Sequence, residues 1–226
     1  MLHPTDSIGT YPERMDDRLA AQTRAGYDAA ASAYAESLPD TSFEAGIDLA
    51  MIDHFVAQLP DASAVLDVGC GTGRMLTYLR GKDASLTLAG TDLSANMLAE
   101  AKKLEVDADL VQADFAALPY ADGTFDGVLA WYSIIHTPPH ALRTIFAEFR
   151  RVLRPGGVLL LGYQEGRGER TIKNPYGQPI ELTAFLHHSP SVAEALAAAG
   201  LSTDATLIRA PRRTEKHSQG FVLARK

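Results

Sequence analysis

The chain has 226 residues, of which 46% are hydrophobic, and it carries a formal net charge of -7. This length predicts one α/β domain with additions rather than two independent domains. The acidic balance disfavours a DNA- or RNA-binding protein, because such proteins usually present a basic face.

Signals for targeting and for disulfide formation are absent from the sequence. Cys70 is the only cysteine, so no disulfide can form within the chain. Residues 1–20 lack the apolar run of a secretory signal, and no run approaches the ~20 apolar residues that cross a bilayer. We therefore expect a cytoplasmic protein with no membrane partner. A solvated loop, rather than a binding patch, is the interpretation of four basic residues: Arg209, Arg212, Arg213 and Lys216.

The first sixty residues are predicted to lie outside the central sheet. Residues 1–15 have no regular pattern, and residues 16–37 are alanine-rich on an interrupted helical period. Residues 44–59 predict a helix whose buried face carries an apolar side chain at every fourth position, at Ile47, Met51, Phe55 and Leu59.

Apolar runs then alternate with helical stretches. Strands are predicted at 64–68, 86–91, 109–112, 126–131 and 157–163, and helices at 73–80, 95–104, 139–152 and 190–200. This alternation predicts a parallel sheet with helices on both faces. The runs 203–209 and 219–224 are predicted to form an antiparallel pair.

Residues 164–188 do not fit this minimal α/β plan. The stretch contains helix- and strand-breaking residues together with aromatic and histidine side chains: Gly166, Gly168, Pro175, Gly177, Pro179, Tyr176, Phe185, His187 and His188. Irregular connections of this length are uncommon in compact domains unless they form a lid or a binding loop. We expect an irregular substrate-facing loop, with an incidental surface insertion as the alternative.

A glycine-rich turn follows the first predicted strand. Residues 65–73 read Val-Leu-Asp-Val-Gly-Cys-Gly-Thr-Gly, which places glycines at Gly69, Gly71 and Gly73. Glycine allows a tight turn and lets a ligand lie against the backbone. Asp92 ends the second predicted strand, where α/β nucleotide folds hold ribose hydroxyls. Together these features predict an adenosine-type cofactor.

The spacing of the glycines disfavours a dinucleotide. The dinucleotide motif G-x-G-x-x-G would require glycine at position 74, which is Arg74. Asp67 would also face a pyrophosphate with like charge. The pattern Asp67-x-Gly69-x-Gly71-x-Gly73 instead resembles the first motif of the class I S-adenosylmethionine-dependent methyltransferases, of the small-molecule type grouped as methyltransferase domains 11 and 25.

Further segments over residues 25–163 carry the same resemblance. They are Thr91-Asp92-Leu93-Ser94 with Met97, Gln112-Ala113-Asp114-Phe115, the predicted fourth strand from Phe125 to Ala130 leading into Trp131 and Tyr132, and the corner from Arg151 to Leu160. Among these, the corner is the most distinctive.

The resemblance implies a Rossmann-like three-layer sandwich. Its sheet would have seven mostly parallel strands with the last strand antiparallel, and an N-terminal helical cap would cover it. The domains implied are a cap segment at 1–40 and a class I methyltransferase domain at 41–226. The cofactor implied is S-adenosyl-L-methionine, with S-adenosyl-L-homocysteine as product. Its expected binding residues are Tyr27, Tyr34, Asp67, Gly69, Cys70, Gly71, Gly73, Asp92, Leu93, Met97, Ala113, Asp114, Phe115 and Ala130. For Tyr27 and Tyr34, closure of the substrate pocket and aromatic packing are the alternatives.

His136 and Tyr132 are the candidate catalytic residues, because both follow the fourth strand at the carboxyl edge of the sheet. A neutral imidazole suits proton removal near neutral pH. The alternative for His136 is a structural role, ahead of a helix that starts near Pro138 or Pro139, or a place in the lining of the cofactor pocket. Tyr163 and His188 are weaker candidates. No grouping of His, Cys and carboxylates has zinc spacing, so we expect no metal.

The expected function is methyl transfer to a small molecule, by a monomer or a homodimer and with no nucleic-acid partner. The tetrapeptide of amino-methylating DNA enzymes is absent after the fourth strand, where Ala130-Trp131-Tyr132-Ser133 stands. Two other classes stay open: a non-catalytic S-adenosylmethionine-binding regulatory or scaffold protein, and a nicotinamide-dependent oxidoreductase.

Overall fold

Helices and strands alternate along residues 17–226, the part of the chain that this computed structural model describes. The helices are α1 (Asp17–Ser37), α2 (Gly46–Ala57), α3 (Arg74–Lys82), α4 (Ala95–Lys102), α5 (Leu142–Val152) and α6 (Ser189–Ala198). The strands are β1 (Ala64–Val68), β2 (Thr87–Asp92), β3 (Ala108–Gln112), β4 (Phe125–Trp131), β5 (Leu153–Gln164), β6 (Gly168–Lys173), β7 (Glu181–Leu186), β8 (Ser202–Arg209) and β9 (Gln219–Arg225).

The central sheet has seven strands in the order β3-β2-β1-β4-β5-β9-β8. Strands β1 to β5 pair in parallel, whereas β9 is antiparallel to both of its neighbours, β5 and β8. The prediction of a seven-stranded, mostly parallel sheet with an antiparallel last strand is confirmed. Because the order reverses between β1 and β4, the carboxyl ends of these strands flank the crevice where open α/β sheets bind ligands.

The sheet is covered on both faces, which confirms the three-layer sandwich. One apolar cluster packs α5 and α6 on the sheet through Phe146, Phe149 and Leu196. The other packs α2 and α3 on the opposite face through Phe55 and Leu76. Within β1 the side chains alternate between the two clusters, as the period of two in a strand requires.

The stretch 164–188 forms an antiparallel hairpin, so the prediction of an irregular loop is wrong. Strands β6 and β7 pair from Gly168 opposite Leu186 to Lys173 opposite Glu181. The breakers Pro175, Gly177 and Pro179 lie in the turn between the strands, whereas Gly168 begins β6. Asn174, Tyr176 and Gly177 all have positive φ in this turn. The alternation Glu-Leu-Thr-Ala at the start of β7 was a signal for a strand, whereas β6 carries only one large apolar residue, Ile172.

The buried face of α2 differs from the predicted one. Ile47 is exposed, while Asp48, Ile52 and Phe55 are buried. Phe55 is buried as predicted, but the first turn faces inward with Asp48, whose carboxylate accepts a hydrogen bond of 2.5 Å from Nε of Arg209. A buried ion pair therefore replaces the apolar contact that the fourfold spacing predicts.

Helix α1 lies across the carboxyl edge of the sheet. Asp28 accepts a hydrogen bond of 2.6 Å from Oγ of Ser94, which precedes α4. On its other side, Gly26 packs against Leu182 of β7 so closely that a Cβ there would lie 2.4 Å from a Leu182 methyl carbon. The helix thus joins α4 to the hairpin. The division at residue 40 stays a prediction, and residues 1–16 of that cap segment lie outside the described residues.

Candidate active site

A cavity of about 590 Å³ opens at the carboxyl ends of β1, β2 and β4. Its walls come from α1, from the turn after β1, from the hairpin and from the loop between β8 and β9. Two stretches outside the sheet, 17–37 and 164–188, therefore both line it. This is the position expected of substrate walls in an open α/β fold.

The glycine turn forms one edge of the cavity. Gly69 and Gly71 both have positive φ. A Cβ on Gly69 would lie 2.4 Å from Cβ of Ser133, whereas one on Gly71 would meet no protein atom within 4 Å. Gly71 therefore presents bare backbone to open space. A ligand can approach its main-chain atoms there as closely as the motif predicts.

Asp92 is held at this turn by main-chain donors. Its two carboxylate oxygens accept hydrogen bonds from the N–H of Gly71 (2.9 Å) and the N–H of Ser94 (2.8 Å). Burial raises the pKa of Asp92 above its usual range, and these N–H groups oppose the rise. The carboxylate lines the cavity, with lone pairs remaining for further donors.

Asp67 lies beneath the same turn, and its side chain is only 2% exposed. Its Oδ2 has no hydrogen-bond partner among the described residues. Burial raises the pKa of Asp67 to about 7, Arg74 lowers it and Asp92 raises it further. An unpartnered buried carboxylate is costly, so this oxygen marks a place where an outside donor would stabilise the protein.

Most of the predicted site residues line the cavity. Those that do are Tyr27, Tyr34, Gly69, Gly71, Asp92, Leu93, Met97, Asp114, Phe115, Tyr132 and His136. Five others do not line it: Asp67, Cys70, Gly73, Ala113 and Ala130. Cys70 points away into the core, where its Sγ approaches Gly90, and Ala130 is fully buried on β4. A position in the cavity wall is not a contact with a cofactor, so the binding roles of these residues stay predictions.

His136 joins α1 to the hairpin. Its Nδ1 lies 2.5 Å from the carbonyl oxygen of Thr183, and its Nε2 lies 2.8 Å from the hydroxyl of Tyr27. A carbonyl can only accept, so Nδ1 carries the proton and Nε2 accepts from the tyrosine. Burial lowers the pKa of His136 to about 4, with Arg170 contributing to the decrease. The imidazole is therefore neutral at pH 7.

Tyr132 follows β4 with a positive φ of 56°. Its ring packs edge-on against Trp131, with centroids 5.5 Å apart. Burial raises the pKa of its hydroxyl well above the usual value. A neutral phenol can donate a hydrogen bond in this cavity, but it is a poor base.

Sequence reasoning missed the role of Arg74 as a wall of the cavity. Its Nη1 lies 2.5 Å from Oε1 of Glu44, and the same oxygen accepts a hydrogen bond from Nε1 of Trp131 at 3.2 Å. The hydroxyl of Tyr34 also approaches the guanidinium. The sequence signal for this role was the position of Arg74, which directly follows the glycine turn and is the first residue of α3.

Two of the four basic residues at the end of β8 and in the loop to β9 form ion pairs, so the interpretation as a solvated loop is wrong for Arg209 and Arg212. Arg209 forms ion pairs with Asp48 and with Glu215, at 2.5 and 2.6 Å. Arg212 pairs with the same Glu215 and packs over the Phe43 ring. This network fixes the loop to α2 at the rim of the cavity.

Residues 17–226 contain no group of three or more His, Cys, Asp or Glu side chains arranged to hold a metal ion. None of their helices combines the length and apolar character required to cross a membrane.

Residues 65–157 match the protein family described as Methyltransferase domain. A malonyl-[acyl-carrier protein] O-methyltransferase of Enterobacter lignolyticus is 36% identical over 133 residues, which cover 58% of this chain and 51% of that protein. A 2-methyl-6-phytyl-1,4-hydroquinone methyltransferase of Synechocystis is 35% identical over 127 residues, covering 54% of this chain and 39% of that protein. The chain spans about half the length, or less, of the curated relatives it matches.

A solved structure extends the likeness to nearly the whole chain. It is the 1,6-didemethyltoxoflavin-N1-methyltransferase of Burkholderia thailandensis with bound 1,6-didemethyltoxoflavin and S-adenosylhomocysteine. The TM-score is 0.69 at 24% identity, over 99% of this chain and 93% of that chain. This likeness shows the fold. The chain is therefore similar to class I S-adenosylmethionine-dependent methyltransferases, in sequence over residues 65–157 and in fold over nearly its whole length.

Proposed function

We propose that the chain is an S-adenosylmethionine-dependent methyltransferase that transfers a methyl group to a small-molecule acceptor by in-line displacement. The observation that carries this proposal is the arrangement at the glycine turn. Gly71 exposes bare backbone, Asp92 is held beside it, and Asp67 keeps an unpartnered buried oxygen beneath it. The relatives' names support the reaction class, since they are methyltransferases of small molecules or of an acyl group on a carrier.

The residues at this turn fit the cofactor in charge as well as in shape. Its amino-acid tail carries one ammonium and one carboxylate. Asp67 offers an unpartnered carboxyl oxygen beneath the turn, and Arg74, paired with Glu44, offers a guanidinium in the cavity wall. Asp92 would accept from the ribose hydroxyls and Asp114 from the adenine amino group. A dinucleotide would instead place pyrophosphate charge beside Asp67.

The chemistry required of the remaining cavity is modest. The bound cofactor supplies a methyl group that is already electrophilic, so the protein must chiefly hold the acceptor atom in line behind it. Alignment of this kind can contribute up to ~7–11 kcal/mol in favourable cases. The aromatic walls, Tyr27, Tyr132 and Tyr176, would position the acceptor and exclude water.

A base that acts directly on the acceptor is not required for every acceptor. A hydroxyl or a protonated amine must lose a proton, whereas a thiolate, a carbanion or a neutral nitrogen does not. Nε2 of His136 already accepts from Tyr27. Proton removal by His136 would therefore pass through the tyrosine hydroxyl, and its catalytic role stays a prediction.

Titration calorimetry tests the cofactor, and a turnover assay tests the reaction. We expect S-adenosylhomocysteine to bind one site per chain and NAD to show no binding. With a deproteinised small-molecule extract as the source of acceptors, S-adenosylmethionine should be converted to S-adenosylhomocysteine. A folded protein that binds the product but converts nothing with any acceptor would favour the regulatory or scaffold alternative. Location in the cytoplasm, the absence of nucleic-acid and membrane partners, and the oligomeric state, monomer or homodimer, stay predictions.

A further inference from the structure

Most charged side chains that line the cavity have a partner of opposite charge. Three lining carboxylates are paired within residues 17–226, in the ion pairs Glu44–Arg74, Asp48–Arg209 and Glu215–Arg212. Two further carboxylates, Asp92 and Asp114, belong to the proposed cofactor edge. The other charged side chains among the described lining residues, outside these ion pairs and the cofactor edge, are both positive: Arg170 and Lys216.

Arg170 is the more informative of these two cations. It lies on β6, and one of its terminal nitrogens donates a hydrogen bond to Oε1 of Gln164, a neutral group. Its Nε is buried without any acceptor among the described residues, and no described carboxylate forms an ion pair with it. An unmatched guanidinium donor away from water is unfavourable until an acceptor reaches it.

The charge of Arg170 acts at the acceptor end of the cavity. Burial is the main cause that lowers the pKa of His136, on the floor beside Tyr27, and of His217, on the loop between β8 and β9, and the charge of Arg170 lowers both further. Lys216, next to His217, adds to the effect on His217 and is exposed at the mouth. Arg170 on β6 and Lys216 on the loop thus give this end of the cavity a positive charge. The proposed cofactor edge, with Asp92 and Asp114, has the opposite sign.

We propose that the methyl acceptor is an acid whose carboxylate binds Arg170, with Lys216 at the cavity mouth attracting it from solution. The inference rests on the proposed methyl transfer and names the class of its acceptor. A guanidinium is suited to a carboxylate because its planar fork donates two parallel hydrogen bonds. The apolar body of the acid would lie among aromatic rings, since Tyr34 and Tyr176 pack with centroids 4.8 Å apart in the adjoining wall.

Matched acids and amides test this subsite without knowledge of the natural acceptor. The probes are benzoate and benzamide, 2-naphthoate and 2-naphthamide, and indole-3-acetate and indole-3-acetamide. Each is titrated by calorimetry into protein saturated with S-adenosylhomocysteine. In the wild type, at least one acid should bind on the order of tenfold more tightly than its amide, the difference expected for hydrogen bonds to a charged group.

The variants Arg170→Gln and Arg167→Gln each remove one positive charge. Their comparison tests whether Arg170 is the side chain that causes the preference for acids over amides. Arg170→Gln should abolish the preference for the acid, and Arg170→Lys should keep part of it. Arg167→Gln is the matched control, because Arg167 is exposed just ahead of β6 and does not line the cavity. This control should behave as the wild type.

Three results would overturn the proposal. They are equal binding of acids and amides by the wild type, failure of all six probes to bind, and an unchanged preference in Arg170→Gln. The saturation step separates this failure from that of the proposed function. If S-adenosylhomocysteine itself does not bind, the methyltransferase proposal fails, whereas binding of S-adenosylhomocysteine without a preference for acids refutes only the acidic acceptor.

Discussion

The hydroxyl of Tyr27 donates a hydrogen bond of 2.8 Å to Nε2 of His136, and the two rings meet edge-on with centroids 5.3 Å apart. Together with the bond from Nδ1 to the Thr183 carbonyl, this contact connects α1, the floor of the cavity and β7. Burial keeps the imidazole neutral, and in this form Nδ1 donates to the carbonyl while Nε2 accepts from the tyrosine.

The first prediction concerns the pH dependence of stability. The pKa of His136 in the folded protein is about 4, below its ordinary value of 6.5. The contribution of the neutral ring is therefore complete above pH 6.5 and is lost as the pH falls towards 4. Between pH 7 and pH 4.5, the free energy of unfolding of the wild type should fall about 2–3 kcal/mol more than that of His136→Gln.

Urea unfolding at the two pH values measures this difference. His140→Gln is the matched control, since His140 is exposed and four residues away. It should follow the wild type. Parallel loss of stability in the wild type and His136→Gln would show that His136 does not titrate as described.

The second prediction concerns Asp67, whose effect has the opposite sign. Burial raises its pKa to about 7 from 3.8, so its ionisation destabilises the fold as the pH rises through this range. From pH 5 to pH 8, the wild type should lose about 2–3 kcal/mol of unfolding free energy relative to Asp67→Asn. The variant should be the more stable protein at pH 8 but bind S-adenosylhomocysteine more weakly. Asp109→Asn, on the exposed part of β3, should change neither property.

The third prediction concerns the cofactor affinity supplied by Asp92. Asp92→Ala should weaken S-adenosylhomocysteine binding by about 1.5–3 kcal/mol, the range for hydrogen bonds to a charged group. Calorimetry measures the affinity, and circular dichroism verifies that the variant folds. Unchanged affinity would remove Asp92 from the cofactor site.

The fourth prediction concerns the turn. Gly71→Val should largely abolish S-adenosylhomocysteine binding, because a branched side chain would occupy the open space beside the backbone of Gly71. Gly156→Val is the matched control: Gly156 also has a positive φ, also faces open space and does not line the cavity. Both variants carry similar backbone strain, so only the first should lose binding. Equal affinities in two folded variants would mean that the turn does not cradle the cofactor.

The fifth prediction concerns ordering of the cavity walls. S-adenosylhomocysteine should slow hydrogen exchange in residues 17–37 and 164–188 as well as at the glycine turn, because closure excludes water from a methyl-transfer site. Helix α6 lies on the sheet away from the cavity and serves as an internal reference. Slower exchange at the turn alone, with both walls unchanged, would contradict closure in the cofactor-bound state.

The sheet and the glycine turn were predictable because their signals are local. Strand β1 has the predicted limits, and the hydrogen bond between Asp92 and Gly71 joins two segments whose motifs stand in the sequence. The contacts that shape the acceptor end are not local. Tyr27 and His136 are 109 residues apart, and Asp48 and Arg209 are 161 apart. No periodicity within one segment can encode such a pair, which is why α2 was predicted with Ile47 inward.

Strand β9 lies between β5 and β8 although it follows both in the chain. During synthesis, β5 and β8 therefore cannot be joined until residues 219–225 have left the ribosome. Until then the backbone N–H and C=O groups along one side of β5 form an open edge that can pair with another chain. A nascent chain of this fold needs protection from aggregation up to its last strand. We expect removal of β9 to yield insoluble protein rather than a smaller folded domain.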